Sequence, residues 1–203
     1  MYSNPRSQPP DCQLIEEYDP DFFFAHLDSP GVLQRQEKEM LQVRDYKNTR
    51  DFLRKHYPQK GKLVEVGSGF GYLLEFFKHD GWDVLGIEPN RGVSRYAQTQ
   101  LGLDVMPVIL ETAQLPDASV DVLVMLHVIE HVPDPLATLK EVYRVLKPGG
   151  IVVLETPRYD TWLFKILGKR ERSLSCEGHI YFFTTDTLQK MANKAENGEQ
   201  GRV

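Results

Sequence analysis

Three glycines at alternate positions, Gly67, Gly69 and Gly71, follow the apolar run Leu63-Val64-Glu65-Val66 and precede helically spaced Leu73, Leu74, Phe76 and Phe77. Glycines at a strand-to-helix turn let the backbone double back and let a ligand approach with no Cβ in its way. That is the grammar of a nucleotide site at the carboxyl end of a first strand. The dinucleotide fingerprint would need a glycine where Tyr72 stands, and no Gly-x-x-x-x-Gly-Lys-Ser/Thr phosphate loop occurs. Glu65 lies just before the turn and Ser68 within it. Glu88 closes the next apolar run, Val84-Leu85-Gly86-Ile87, about twenty residues past the first glycine, where a carboxylate can accept both hydroxyl hydrogens of a ribose.

A second group that could do chemistry is His127-Val128-Ile129-Glu130-His131. Literally it is His-x-x-Glu-His, a zinc-peptidase signature. That chemistry needs a helix that puts both imidazoles on one face, plus a distant third ligand. Here the motif follows directly on the strand-like run Val120–Leu126, and Pro133 arrives too soon for a helix. No metal site is expected. The two cysteines, Cys12 and Cys176, stand in no ligand spacing either.

The elements that must hold these groups alternate. Apolar runs at 63–66, 82–88, 104–108, 120–126 and 151–155 read as strands, and helical spacing falls at 72–80, 91–101 and 136–146. Asn90 is placed to cap the second of these helices, and Lys147-Pro148-Gly149-Gly150 ends the third. Such alternation gives an α/β fold, a doubly wound parallel sheet with right-handed crossovers. Ahead of it, residues 32–57 carry a covering helix or a lid, with Leu33, Met40, Val43, Phe52 and Leu53 inward and a break near Asn48. Residues 1–31 are proline-punctuated and irregular, apart from the triplet Phe22-Phe23-Phe24, which is expected to pack on the main domain; 32–196 form that domain, and 197–203 are a polar tail.

These ordered motifs resemble the class I S-adenosylmethionine-dependent methyltransferases, whose first motif is an acid followed by Gly-x-Gly-x-Gly, and His-Val-Ile-Glu-His-Val-Pro-Asp is similar to their ubiquinone-biosynthesis-like, small-molecule branch. The resemblance implies a Rossmann-like sheet of strand order 3-2-1-4-5 and S-adenosylmethionine as cofactor. It implies cofactor contacts from Glu65, Gly67, Ser68, Gly69 and Gly71, ribose contact from Glu88, and adenine contacts from Pro89, Glu111 and Thr112. Leu126 and His127 would face cofactor and substrate, and His131 would be either a general base or an orienting histidine. Arg158, His179 and Tyr181 would lie beside the acceptor. The loop 160–177, aromatic and basic, would be a substrate lid or an amphipathic surface helix. The family's sheet ends in an antiparallel hairpin; residues 196–203 lack apolar alternation, so that hairpin is expected to be missing. Strand 151–155 would then be an exposed edge, inviting self-association unless 160–177 covers it.

At 203 residues with 41% apolar and 26% charged residues, the chain suits one globular domain. A net charge of -5 argues against a broad nucleic-acid surface, and no long apolar run could span a membrane. Two separate thiols and no secretory leader point to the cytoplasm. Two rivals stand beside the methyltransferase reading: a nicotinamide-dependent oxidoreductase, and a methyltransferase-like domain that binds cofactor or a partner without turnover.

Overall fold

The computed structural model describes residues 2–3, 43–162, 164 and 180–196. Five apolar stretches become parallel strands: β1 (Lys62–Val66), β2 (Asp83–Ile87), β3 (Val105–Met106), β4 (Val120–Leu126) and β5 (Leu146–Glu155). They lie in spatial order β3-β2-β1-β4-β5, the order expected. Helices α1 (Val43–His56), α2 (Tyr72–His79), α3 (Arg91–Gln100), α4 (Pro135–Val145) and α5 (Thr185–Glu196) accompany them.

Period-two alternation sorts the two faces. Val64, Val66, Leu123 and Met125 point into one core with Leu139, Val142 and Val145 of α4 and Ala195 of α5. Leu63, Val122 and Val124 point into the other, with Leu53 of α1, Leu73, Leu74 and Phe77 of α2, Trp82 and Ala97. A strand covered on both faces has no room for polar alternation, which is why β1 and β4 read as continuous apolar runs. The helices start where their sequences set them. Asn90 Oδ1 accepts from Gly92 N and Val93 N at 3.0 and 3.1 Å, and Asp134 Oδ1 accepts from Leu136 N and Ala137 N, both at 3.0 Å. Pro135, the first residue of α4, lacks only an N–H that would have no partner there.

Several expectations are corrected. Helix α1 runs unbroken through Asn48, and its inward stripe is Tyr46, Thr49 and Leu53, one helical turn apart. Phe52 lies off that stripe, 46% exposed and stacked on His56 at 4.5 Å. Leu33 and Met40, the triplet Phe22-Phe23-Phe24 and the tail 197–203 lie outside the described residues. Strand β3 is shorter than expected, and β5 begins earlier. Val120 pairs with Leu146 and Val122 with Ile151, so Asp121 alone faces residues 147–150, a wide bulge turned by Gly149. Tyr2–Ser3, expected to be irregular, pair antiparallel with β6 (Tyr181–Phe182). Among the described residues β5 is hydrogen-bonded on one side only, to β4; most of 160–177, the segment expected to cover its other side, lies outside them. No described helix is long and apolar enough to cross a membrane.

Asp121 fastens the amino edge of the sheet. Its carboxylate accepts from Tyr57 Oη at 2.8 Å, Lys62 N at 2.8 Å and Lys147 Nζ at 2.6 Å, joining α1's exit, β1 and the bulge of β5. Burial pushes its carboxyl upward, but these three donors outweigh burial and hold it below the ordinary carboxylate range. Asp121→Ala should therefore lower unfolding free energy by about 1–3 kcal/mol, because Lys62 N and Tyr57 Oη lose their acceptor. A depressed folded-state pKa gives stability that is complete above the ordinary carboxylate value and lost as pH falls through the folded one. Urea unfolding should show a constant difference at neutral pH that shrinks in acid; a difference that grows in acid would refute the assignment.

Candidate active site

The carboxyl ends of all five strands open at one edge, the place where ligands meet open α/β sheets. After β1 the chain turns through left-handed conformations at Gly67 (φ 72°) and Gly69 (φ 52°). Gly67 N and Ser68 N both donate to Ile87 O, at 2.7 and 3.3 Å, so β2 fixes the turn. The two glycines do different jobs. A Cβ at Gly67 would run into Val128 Cγ2 of the loop after β4, whereas a Cβ at Gly69 would meet nothing within 4 Å. Gly67 is a packing position; Gly69 faces open space where a ligand can lie. Gly71 caps the start of α2.

Glu88 faces this turn. Its Oε2 accepts from Gly69 N and its Oε1 from Asn90 N, each at 2.9 Å, and each oxygen keeps a further lone pair. Burial pushes the Glu88 carboxyl above its ordinary value, opposed by those two backbone donors. Glu65, 6% exposed, has its carboxyl pushed well above the ordinary value by burial and by the nearby charge of Glu88, while the Leu74 N–H in the first turn of α2 pulls the other way. Glu65 is thus turned toward the start of α2.

Among the described residues, the buried side-chain polar atoms with no hydrogen-bond partner are Glu65 Oε2, Ser68 Oγ, Asn90 Nδ2 and Glu130 Oε1. All four belong to the carboxyl ends of β1, β2 and β4 or to the turns that follow. Each such atom costs about 1–3 kcal/mol, which for Ser68 and Asn90 a polar ligand at that edge would offset.

The third component follows β4. His127 takes φ 56°, a left-handed conformation unusual outside glycine, and its N–H donates to Glu155 O at 2.9 Å. Its side chain is 58% exposed, with Nδ1 3.5 Å from Glu130 Oε1 and Nε2 3.6 Å from Glu155 Oε1. Residues 127–131 form turns, so the two histidines do not share a helix face. His131 is half-buried, and its N–H donates to Val128 O at 2.9 Å.

The remaining expected residues are distributed around this edge. Leu126 ends β4, half-buried, and Pro89 sits between Glu88 and the Asn90 cap. Glu111 and Thr112 lie on a 3-10 turn; Glu111 Oε1 accepts from Thr138 Oγ1 of α4, and Thr112 Oγ1 donates to Ile109 O. Arg158 is exposed and paired with Asp160 at 3.1 Å, while its backbone bridges to Phe183. Tyr181 Oη donates to Pro133 O at 2.7 Å. His179 lies outside the described residues. The sequence alone gave no separate role to Glu130, Glu155 or Thr156. The available signal was a lone carboxylate three residues after a histidine, in an otherwise apolar stretch.

The model of a methyltransferase-domain family matches residues 34–196. This chain belongs to that family. S-adenosylmethionine is the cofactor of these methyltransferases, and the residues present fit it: an open cradle at Gly69, a carboxylate with spare lone pairs at Glu88, and unpartnered polar atoms at Ser68 and Asn90. The ubiquinone biosynthesis O-methyltransferase of Psychrobacter cryohalolentis is 31% identical over 153 residues, 68% of this chain and 60% of that protein. That of Aliivibrio fischeri is 29% identical over 152 residues, 69% of this chain and 65% of that protein. The chain thus spans less than two thirds of these relatives. A solved methyltransferase of Thermotoga maritima, described as a possible histamine N-methyltransferase, has a TM-score of 0.62 at 27% identity, covering 80% of this chain and 76% of its own. Phosphoethanolamine N-methyltransferase 2 of Haemonchus contortus, solved with S-adenosylmethionine, shares the fold at 16% identity and TM-score 0.56, over 73% of this chain and 36% of its own.

Two outcomes are expected of this methyltransferase site in calorimetry with S-adenosylhomocysteine. Gly69→Val should abolish binding, since the side chain would fill the open cradle and oppose the left-handed turn, and Glu88→Ala should weaken it by about 1–3 kcal/mol. A Glu88 that accepts from ribose hydroxyls must be ionised, and its pKa is raised, so under that assignment affinity should be full near neutrality and fall as pH drops through the raised value. Glu88→Gln should lose this pH dependence; an unchanged pH dependence would move the ribose contact elsewhere.

Proposed function

We propose that this chain transfers the methyl group of S-adenosylmethionine to a hydroxyl oxygen of a small molecule, with His127 as the base that takes the hydroxyl proton. The observation that carries this reading is the exposed His127 imidazole, held in a left-handed turn between two carboxylates, one residue from the Val128 that packs on the glycine turn. Strained backbone at a pocket edge is a recognised mark of a working residue. The relatives named O-methyltransferases support the same acceptor atom.

When bound, the cofactor would supply a methyl group activated by a sulfonium, whose carbon–sulfur bond would break, giving a neutral thioether, as the acceptor oxygen bonds the methyl carbon. The protein's task is alignment, exclusion of water and disposal of one proton. Well-oriented reactants gain roughly 7–11 kcal/mol from positioning. Glu88 and the turn around Gly69 fix the nucleoside end, and Leu126 supplies an apolar wall at the end of β4. The acceptor proton passes to His127, whose charge the flanking carboxylates offset. His131, half-buried in the same turn, is the orienting member. Arg158 and Tyr181 stand on the acceptor side in this reading. A net charge of -5 favours a small acceptor over a nucleic-acid backbone.

The test is methyl-labelled cofactor incubated with a panel of catechols, phenols and primary amines. Label should appear on hydroxyl acceptors. His127→Asn keeps a residue that tolerates the left-handed turn but removes the base, and turnover should fall about 10²- to 10⁴-fold with cofactor affinity intact. Label on amines alone, or full turnover in His127→Asn, would overturn the proposal.

A further inference from the structure

Glu130 is the least expected residue of the site. It is 1% exposed, yet it is a carboxylate. Its Oε2 accepts from Thr156 Oγ1 at 3.0 Å, just beyond the end of β5. Its backbone oxygen accepts from Ile180 N at 2.8 Å and Tyr181 N at 3.1 Å, leading into β6. One residue therefore ties the turn after β4 to the segments after β5 and before α5. Those bonds leave Oε1 alone, buried and without a hydrogen-bond partner, 3.5 Å from His127 Nδ1. This separation is within ion-pair range and longer than a formed hydrogen bond.

A buried ionised oxygen beside an imidazole edge permits one favourable arrangement, a proton on Nδ1. Burial works against the charge of Glu130, but His127, its own backbone N–H, His131 and Thr156 together hold its carboxyl below the ordinary range, so it stays ionised. A proton on Nδ1 would leave the lone pair of the neutral ring on Nε2, which lies 3.6 Å from Oε1 of the exposed Glu155. The titratable groups facing the His127 ring include Glu130 and Glu155, with His131 acting on the same buried carboxylate.

We propose that Glu130 is the positioning residue for His127: anchored by Thr156, it fixes the Nδ1–H tautomer, leaves Nε2 as the proton-accepting atom, and offsets the charge the ring gains. This rests on the reading of His127 as the proton acceptor. The buried carboxylate and the strained turn are then one device. The left-handed backbone at His127 brings the ring over Oε1, and Glu130 sets which nitrogen is basic.

The test needs no acceptor molecule. Nitrogen-15 spectra of the ring, assigned by the loss of signals in His127→Asn, report tautomer and titration directly in the full chain. Wild-type His127 should be the Nδ1–H tautomer when neutral. In Glu130→Gln, which keeps shape but loses the charge, the proton affinity of the ring should fall about tenfold or more, with the tautomer released. Affinity for S-adenosylhomocysteine should be unchanged, which separates this effect from loss of the fold. An Nε2–H tautomer in the wild-type chain overturns the proposal without any variant. So does a His127 titration in folded Glu130→Gln that matches wild type. Failure of the hydroxyl-acceptor assay with these spectra as expected would overturn the function and leave the positioning role standing.

Discussion

Burial of β1 and β4 on both faces is the constraint from which the site follows. Strands packed against helices on either side have almost no place for a polar side chain along their length, so chemistry is displaced to their ends. At the amino end Asp121 collects three donors and fastens α1, β1 and β5 together. At the carboxyl end Glu88, His127 and Glu155 stand along one edge because parallel pairing brings every strand's exit to the same side. Glu65 is the exception within a strand. It is tolerated because it reaches the amino end of α2, and because its raised pKa lets it shed its charge.

The edge is shaped by left-handed backbone at two places that meet. Gly67 is bare because Val128 lies against it, and Val128 is carried there by the turn that begins at His127. Closeness of the two loops thus requires a glycine on one side and an unusual conformation on the other. Glycine supplies the first at no steric cost. The second costs something, and the Glu155 carbonyl that holds the His127 N–H helps to maintain it. Two loops packed against one another hold this edge in one arrangement, which is what a site that must align a ligand requires.

Charge is distributed unevenly across this edge. Glu65, Glu88 and Glu130 are all wholly or partly removed from water, and each deals with its burial differently. Glu130, surrounded by histidines and a hydroxyl, remains ionised. Glu88 is partly relieved by two backbone donors, and Glu65 is pushed furthest toward neutrality. Such separation of carboxylates into different protonation tendencies is how one pocket can bind hydroxyl donors, a cation and a proton in defined places.

The sequence by itself determined the five apolar strands, the glycine turn and the cap at Asn90. These depend on local pattern: an apolar run, a glycine at a required turn, a short polar side chain before a helix. The strand order and the cofactor came instead from the family that the ordered motifs resemble, and the sheet has that order. Only the tertiary structure decided which glycine is open and which is packed, because that depends on Val128, distant in sequence. It alone decided that Phe52 is exposed while Thr49 is buried, since the direction of the sheet from α1 is not written in the helix. It also separated Glu130 from its motif. In sequence Glu130 is one letter between two histidines; in space it bonds Thr156 just beyond the end of β5 and takes the N–H groups of Ile180 and Tyr181. Contacts between residues far apart in the chain carry no local signal, and it is by such contacts that the turn after β4 is fixed.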